Sequence, residues 1–420
     1  MISVEEALQR ILPHFHPLDT EDQPLLDALG QVLAEDVIAG FDIPPLANSA
    51  MDGYAVRAAS TAGASPSQPV SLRVAGELAA GYVYDGRVEP GTVVRIMTGA
   101  PLPSGADAIV PFEETDEAGQ RAPRGAGPLD TTVRILKAAT AGTNVRAAGE
   151  DIRAGQRVLE RGTVLRPAQL GVLASLGRTT VSVFRRPIVS ILSTGDELVA
   201  PGDPRPPARI YDSNATGIAS AVREFGGIPQ LLGVAADTID DLTDKIRLGF
   251  NADLLVTTAG VSRGDYDVVK LVLAREGAID FWTVNMRPGK PLAFGTLHAG
   301  GRRIPHIGLP GNPVSCMVTF EVFGRPAIFT MLGRSEWRRP RIRAVTSDAI
   351  PMADERRFFA RCIVHREDER YIASLTGSQS SGVLSGLARA NGLAVIPEGH
   401  PTVQPGEEIE VMLLNWDTEP

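Results

Sequence analysis

Cysteine is nearly absent: Cys316 and Cys362 are the only two in 420 residues, and no C-x-x-C pair occurs. A disulfide framework and a zinc ribbon are thereby excluded, and a reducing compartment fits. Histidine is scarce as well, six in all, with no spacing that suits a metal. Long apolar runs are missing, so no segment approaches the roughly 20 residues that cross a bilayer. The opening stretch MISVEEALQRIL carries acids among its apolar residues and lacks the basic start and apolar core of a signal peptide. Together these absences point to the cytoplasm and away from membranes. Positive charge is also in deficit. The formal net charge is −9, which argues against nucleic-acid binding, because a phosphate backbone demands a basic face. Repeats, heptad arrays and low-complexity tracts are lacking, apart from the proline-rich turn PGDPRPPAR at 201–209.

The apolar fraction of 43% and mean hydropathy of +0.01 describe an ordinary soluble protein. Its length exceeds one hydrophobic core, so about three or four domains are expected. Ser3 followed by Glu6 is a capping-box pattern ahead of Ala7, Leu8, Ile11 and Leu12, which predicts an amphipathic N-terminal helix. From Phe41, the short runs LRVAGEL, GTVVRIMTG and ADAIVPFEET alternate with Gly, Pro and Asp turns and predict an all-β module over 41–140. A turn-rich piece with a helix starting near Pro167 follows. It is too short to stand alone and is expected to pack on the N-terminal helix. Residues 1–40 and 141–178 then form one helical and linker domain, and the β module is an insertion.

From Pro187 the alternation is regular: strand IVSILS, helix ATGIASAVREF, strand PQLLGVA, a helix from Thr238, strand DLLVTT. This predicts a parallel sheet with right-handed crossovers over 179–332. Asn312 caps and Pro313 begins a long last helix of that domain, running towards Met331. The runs RRPRIRAV, RRFFARCIVHRE, RYIASL and EEIEVMLL, with a helix in SGVLSGLARANG, predict a small β-rich domain over 333–420. The expected fold class is α/β plus all-β domains.

Strand ends of the α/β segment deliver STGDEL, AADT and AGVSRGDYD, which would bring Glu197, Asp237, Asp265 and Asp267 near one crevice. Clustered carboxylates repel unless they share a proton or hold a hard cation such as Mg²⁺. Taken singly, each Asp could equally cap the next helix. Arg287 and Lys290, in NMRPGKPLAF, supply the opposite sign and suit a phosphate or another oxyanion. In GLPGNP two glycines permit close backbone approach to a ligand, and Asn312 leaves a helix start facing the same side; the alternative is a plain cap.

Other patterns compete. Gly260, Ser262 and Gly264 match the G-x-S-x-G nucleophile elbow, and Asp280 and His306 follow in the order a serine hydrolase requires. Arg263 and Asp265 beside that serine look more like polar ligand contacts than parts of a dry acyl site. Asp52, Thr98 with Asp107, and Glu150 with Asp151 sit on tight turns, where hairpin and loop chemistry is the ordinary explanation. Cys316, among Val314, Met317 and Phe320, reads as core packing.

Taken in order, NSAMDGYAVR, RIMTGAPLPSGADAIVPFEET, AAGEDIRAG, STGDEL, IYDSN, TTAGVSRGDYD, RPGKPLAFG, GLPGNPVS and ARANGLAVIPEG resemble the molybdopterin molybdenumtransferases, the MoeA family and the gephyrin E domain. The likeness spans almost the whole chain. It implies an elongated homodimer of four-domain subunits that inserts molybdenum from molybdate into adenylylated molybdopterin, with Mg²⁺-dependent release of AMP. The cleft would join the α/β domain of one subunit to the β module of the other, and a molybdopterin adenylyltransferase would be a further partner. By the same resemblance Glu197, Asp237 and Asp267 match the acidic cleft residues and would hold the cation or orient water. Asp151 belongs with them. Lys290, Pro310, Pro313, Asp52 and Thr98 match as well. Ser262, Arg263, Asp265, Arg287 and Asn312 are added as substrate contacts from the loops that carry them.

The chain departs from the family in three places. It has TAGVSRG where SGGVSVG is usual, placing Ala259 and Arg263 on the loop. It has Arg287 where KPGKP is frequent, and a guanidinium fork is not equivalent to an ammonium. GSQSSG replaces a more glycine-rich run. A molybdopterin-binding scaffold without chemistry is the alternative function within the resemblance; the full set of acids favours catalysis.

Overall fold

The computed structural model describes residues 1–118, 131–261 and 268–414. They fall into two compact units: 36–160 with 172–177, and 1–35 with 161–171 and 178–420.

In the first unit five strands, β1 (Gly53–Val56), β2 (Val70–Leu78), β3 (Thr92–Ile96), β4 (Ala108–Pro111) and β5 (Thr132–Ile135), form one sheet in the order β4-β1-β3-β2-β5. Side chains of opposite pleat feed two cores: Tyr54, Val56 and Val110 enter one, and Ala55, Ile96 and Ile109 the other. The turn-rich piece divides: 161–171 go with the N-terminal helix, and Val164 packs on the cluster of Val4, Ala7 and Ile11, whereas the part before it is held by pairing inside this unit. Arg157–Leu159 pairs with Val37–Ile38, Ile152 bridges Ile43, and Val145–Arg146 pairs with Asn48–Ser49.

The second unit opens with the helix Val4–Ile11, whose Ser3 hydroxyl accepts from the Glu6 N–H at 3.0 Å and whose Val4, Ala7 and Ile11 are buried. Its main sheet comprises β6 (Ile188–Thr194), β9 (Ile228–Ala235), β10 (Leu254–Thr258), β11 (Gly277–Thr283), β12 (Pro291–Ala299) and β13 (Arg302–Leu309). The order is β9-β6-β10-β13-β12-β11, with the first four parallel and β12 antiparallel to both neighbours. A two-strand flap, β7 (Leu198–Val199) and β8 (Ile210–Tyr211), follows β6. Strand β10 is buried throughout and β6 almost so, as an apolar run covered on both faces must be.

The helices α1 (Ser213–Glu224), α2 (Ile239–Leu248) and α3 (Val268–Glu276) cover the sheet, with Asp212 and Thr238 as side-chain caps of the first two. The last helix starts as α4 (Pro313–Thr319) and runs through a π turn at Phe320–Gly324 to Met331. It meets α1 closely, since a Cβ on Gly217 would touch the Met317 sulfur. Strands β14 (Arg341–Thr346), β15 (Arg357–Glu367), β16 (Arg370–Leu375), β17 (Gly392–Ile396) and β18 (Glu408–Leu413) then close into a barrel, because β17 pairs with both β15 and β18. Among the described residues no helix is long and apolar enough to cross a membrane.

Candidate active site

Strand β6 is flanked by β9 on one side and β10 on the other. The chain leaves β6 towards β9, then returns to β10 across it, so the loops after β6 and β10 diverge and a crevice opens between them. Register places the ends of β6, β9, β10 and β13 and the start of β12 at one sheet edge, through Thr194–Ala235, Ser193–Thr258, Thr258–Leu309 and Ala293–Gly308. The crevice is a cleft of about 470 Å³ lined by Thr194 and Glu197, the flap, Asp212–Asn214, Thr258–Val261, Pro291, Pro310–Pro313 and Ser315. Its floor is tied by hydroxyls: Thr258 Oγ1 donates to Ser193 Oγ at 3.0 Å.

Glu197 is bent back over Gly195, whose φ of +139° is open to glycine and whose position would drive a Cβ into the Glu197 carboxylate. Asp237 stands beside it: its backbone N–H donates to Asp196 Oδ1 at 3.3 Å. Burial first, and then the charges of Asp196 and Glu197, hold the Asp237 carboxyl above its ordinary range. The structure thus brings Glu197 and Asp237 together and adds Asp196, which the sequence reading passed over. Asp267, Ser262, Arg263 and Asp265 lie outside the described residues. Among the described residues no three His, Cys, Asp or Glu side chains are gathered as a metal cage. Mg²⁺ commonly takes one or two carboxylates and completes its shell with water and phosphate, so Glu197 and Asp237 suit it as a shared rather than an all-protein site.

The basic turn divides. Lys290 is exposed at the cleft's sheet edge; its carbonyl accepts from Val284 N–H at 2.8 Å, and its ammonium bonds to nothing among the described residues. Arg287 goes elsewhere. Met286–Arg287 pairs with Arg357–Phe358 of the barrel, the guanidinium lies 3.7 Å over the Phe358 ring, and one amino group donates to the Pro351 carbonyl. Arg287 thus packs on the barrel, where burial lowers its basicity. Pro310, Asn312 and Pro313 all line the cleft, and Asn312 makes no side-chain cap bond.

Three neighbours of this loop were not anticipated as site residues. Buried Asn214 donates from Nδ2 to the Gly311 carbonyl at 2.8 Å, fastening α1 to the GLPGNP turn; the Asp-Ser-Asn cap signal in IYDSN could have flagged it. Ser381 accepts from the Val314 N–H at 3.0 Å, satisfying a free donor of the helix start. Its loop is held by Arg361, which is 1% exposed and donates to the carbonyls of Ser378, Ser380 and Val383.

Asp52, Thr98 and Asp151 belong to the other unit. Thr98 donates both its N–H and its hydroxyl to Asp52 Oδ1, each at 2.7 Å, and these bonds hold the carboxyl below its ordinary range. Asp151 is exposed, and its N–H donates to the Ile43 carbonyl at 3.0 Å. Of the alternative hydrolase triad, Ser262 lies outside the described residues. His306 is fully buried within β13 against Thr257 Oγ1 at 3.0 Å, and burial lowers its pKa to about 3.

A mainly parallel sheet with a crevice at its switch point, lined by Glu197, Asp212 and glycine turns, has the form of an α/β ligand-binding domain. Comparison with known proteins makes this specific. Residues 2–177 match the MoeA N-terminal region (domain I and II), 190–330 a probable molybdopterin binding domain, and 343–414 the MoeA C-terminal region (domain IV). The molybdopterin molybdenumtransferase 2 of Mycobacterium tuberculosis is 40% identical over 94% of both chains, and the molybdopterin molybdenumtransferase of Bacillus subtilis 34% identical over 98% of this chain and 94% of its own. The crystal structure of a molybdopterin biosynthesis MoeA protein from Pyrococcus horikoshii superposes with a TM-score of 0.82 at 31% identity, covering 99% of each chain. The chain belongs to the MoeA family of molybdopterin molybdenumtransferases, enzymes of molybdenum cofactor biosynthesis.

Proposed function

We propose that this chain inserts molybdenum from molybdate into adenylylated molybdopterin and releases AMP. The observation that carries the proposal is the grouping of Asp196 and Asp237 with Glu197, which lines the switch-point crevice; burial first, and then these like charges, raise the Asp237 pKa. Such a cluster is tolerable when a divalent cation and an anionic substrate meet there. Bound Mg²⁺ would neutralise charge on the phosphate link and on the departing AMP. Glu197 and Asp237, with Asp267, are the residues assigned to hold it. Exposed Lys290 is assigned to draw in the oxyanion. The pterin's dithiolene sulfurs ligate the metal, which explains why two buried cysteines suffice.

Asp52, Thr98 and Asp151 are assigned to the same reaction through a homodimer, in which the β module of one copy completes the cleft of the other. The four-domain division, a molybdopterin adenylyltransferase as the donor of substrate, and a cytoplasmic site of action complete the proposal. The test is direct. Purified protein given adenylylated molybdopterin, molybdate and Mg²⁺ should release AMP, and Asp237→Ala should abolish release while the fold and oligomeric state persist. Full activity in Asp237→Ala would remove this acid from the reaction.

A further inference from the structure

Among the described lining residues, the flap supplies the aromatic ring of the cleft together with two aliphatic side chains. Leu198, Ile210 and Tyr211 all line it, and Ile210 and Tyr211 are 58% and 45% exposed. No lysine or arginine is among the described residues that line the cleft. In the flap a flat neutral ring finds an aromatic face and two aliphatic edges.

Tyr211 is also held in place. Its hydroxyl donates to the Asp203 carbonyl at 3.2 Å, and the connecting loop is braced by Arg205, which donates to the Arg209 carbonyl at 2.7 Å. On either side, Ile210 N–H donates to the Glu197 carbonyl at 2.9 Å and Asp212 N–H to the Val199 carbonyl at 2.8 Å. The ring is positioned before any ligand arrives, which removes part of the ordering cost of binding. Glu197, whose carboxylate reaches the acidic cluster, is fastened to the same flap.

We propose that Tyr211 is a stacking platform for a planar fused nitrogen heterocycle of the substrate, with Leu198 and Ile210 covering the ring's rim. This rests on the molybdopterin reading above. Pterin and adenine share that chemistry, and the experiment separates them.

Binding of adenylylated molybdopterin and of AMP to the full-length protein is measured by calorimetry for wild type, Tyr211→Ala, Tyr211→Phe and Tyr211→Trp. Tyr211→Ala should weaken the substrate roughly ten- to hundred-fold, the range for loss of one ring–heterocycle stack. Its KM should rise by that factor while kcat at saturation changes little, and Phe or Trp should restore binding. If AMP affinity falls in parallel the stacked ring is adenine; if it does not, the ring is pterin. Unaltered substrate affinity in Tyr211→Ala overturns the proposal, and so does a Tyr211→Phe variant as defective as Tyr211→Ala, which would mark the hydroxyl bond as the cause. Failure of the wild type to bind adenylylated molybdopterin would instead sink the molybdopterin reading itself.

Discussion

Thr98 gives both of its donors to one oxygen of Asp52, so that two of the residues singled out from the sequence form a single unit. The bonds favour the ionised carboxyl, which places the folded-state pKa below the unfolded one. Their contribution is therefore present at neutral pH and is lost as pH falls through the folded-state value, below about 4. Thr98→Val keeps the backbone donor and removes the hydroxyl. It should raise the Asp52 pKa and, because the site is exposed, cost no more than about 1 kcal/mol in denaturant titrations.

Asp237 has the opposite sign. Its folded-state pKa is raised by burial and by Asp196 and Glu197, so its charge weakens the fold above that value and the penalty lifts as pH drops through it. Asp237→Asn should therefore leave thermal stability at neutral pH unchanged or slightly higher, even as molybdenum insertion is lost. A clear fall in Tm would show that the carboxylate is needed for folding.

Gly195 lies beneath the Glu197 carboxylate. Gly195→Ala should displace that side chain and lower kcat/KM by roughly ten-fold or more, the scale of a misplaced reacting group. Mg²⁺ affinity, read by calorimetry, should weaken in the same variant.

Ala259 carries a φ of +75°, donates from its N–H to the Leu309 carbonyl at 3.0 Å and lines the cleft. A non-glycine residue in this region costs about 1 kcal/mol or more. Ala259→Gly should accordingly raise stability by up to about 1 kcal/mol, and Ala259→Val should lower it, because a β-branched side chain tolerates positive φ poorly. Equal stability of all three would show that the loop relaxes freely.

His306 stays neutral in the fold down to about pH 3, while the unfolded chain takes up its proton near pH 6.5. Stability should thus decline between those values on acidification, and His306→Gln should flatten that limb of the pH–stability curve. Labelling by a fluorophosphonate should be absent.

Much of this architecture was legible where signals are short-range. The Ser3–Glu6 cap, the alternation after Pro187 and the strand-then-acid order around Glu197 and Asp237 each depend on neighbours within a few residues. The barrel was only half visible: GLAVI drew notice for its motif and became β17 through pairing with two distant strands. The surroundings of Arg287 were hidden for the same reason. Its charge was plain from the sequence, while its packing partner Phe358 lies far along the chain. Asp196 was overlooked because its effect on Asp237 arises only when β6 and β9 lie side by side.

The N–H of Val314 is answered by Ser381, and the strand carrying Arg287 runs along Phe358. The α/β segment finishes its ligand edge with material borrowed from the barrel. A fragment cut at Gly333 would arrive with a frayed helix start and a loosened basic turn, so a hybrid enzyme built from this chain has to carry crevice and barrel together as one cassette.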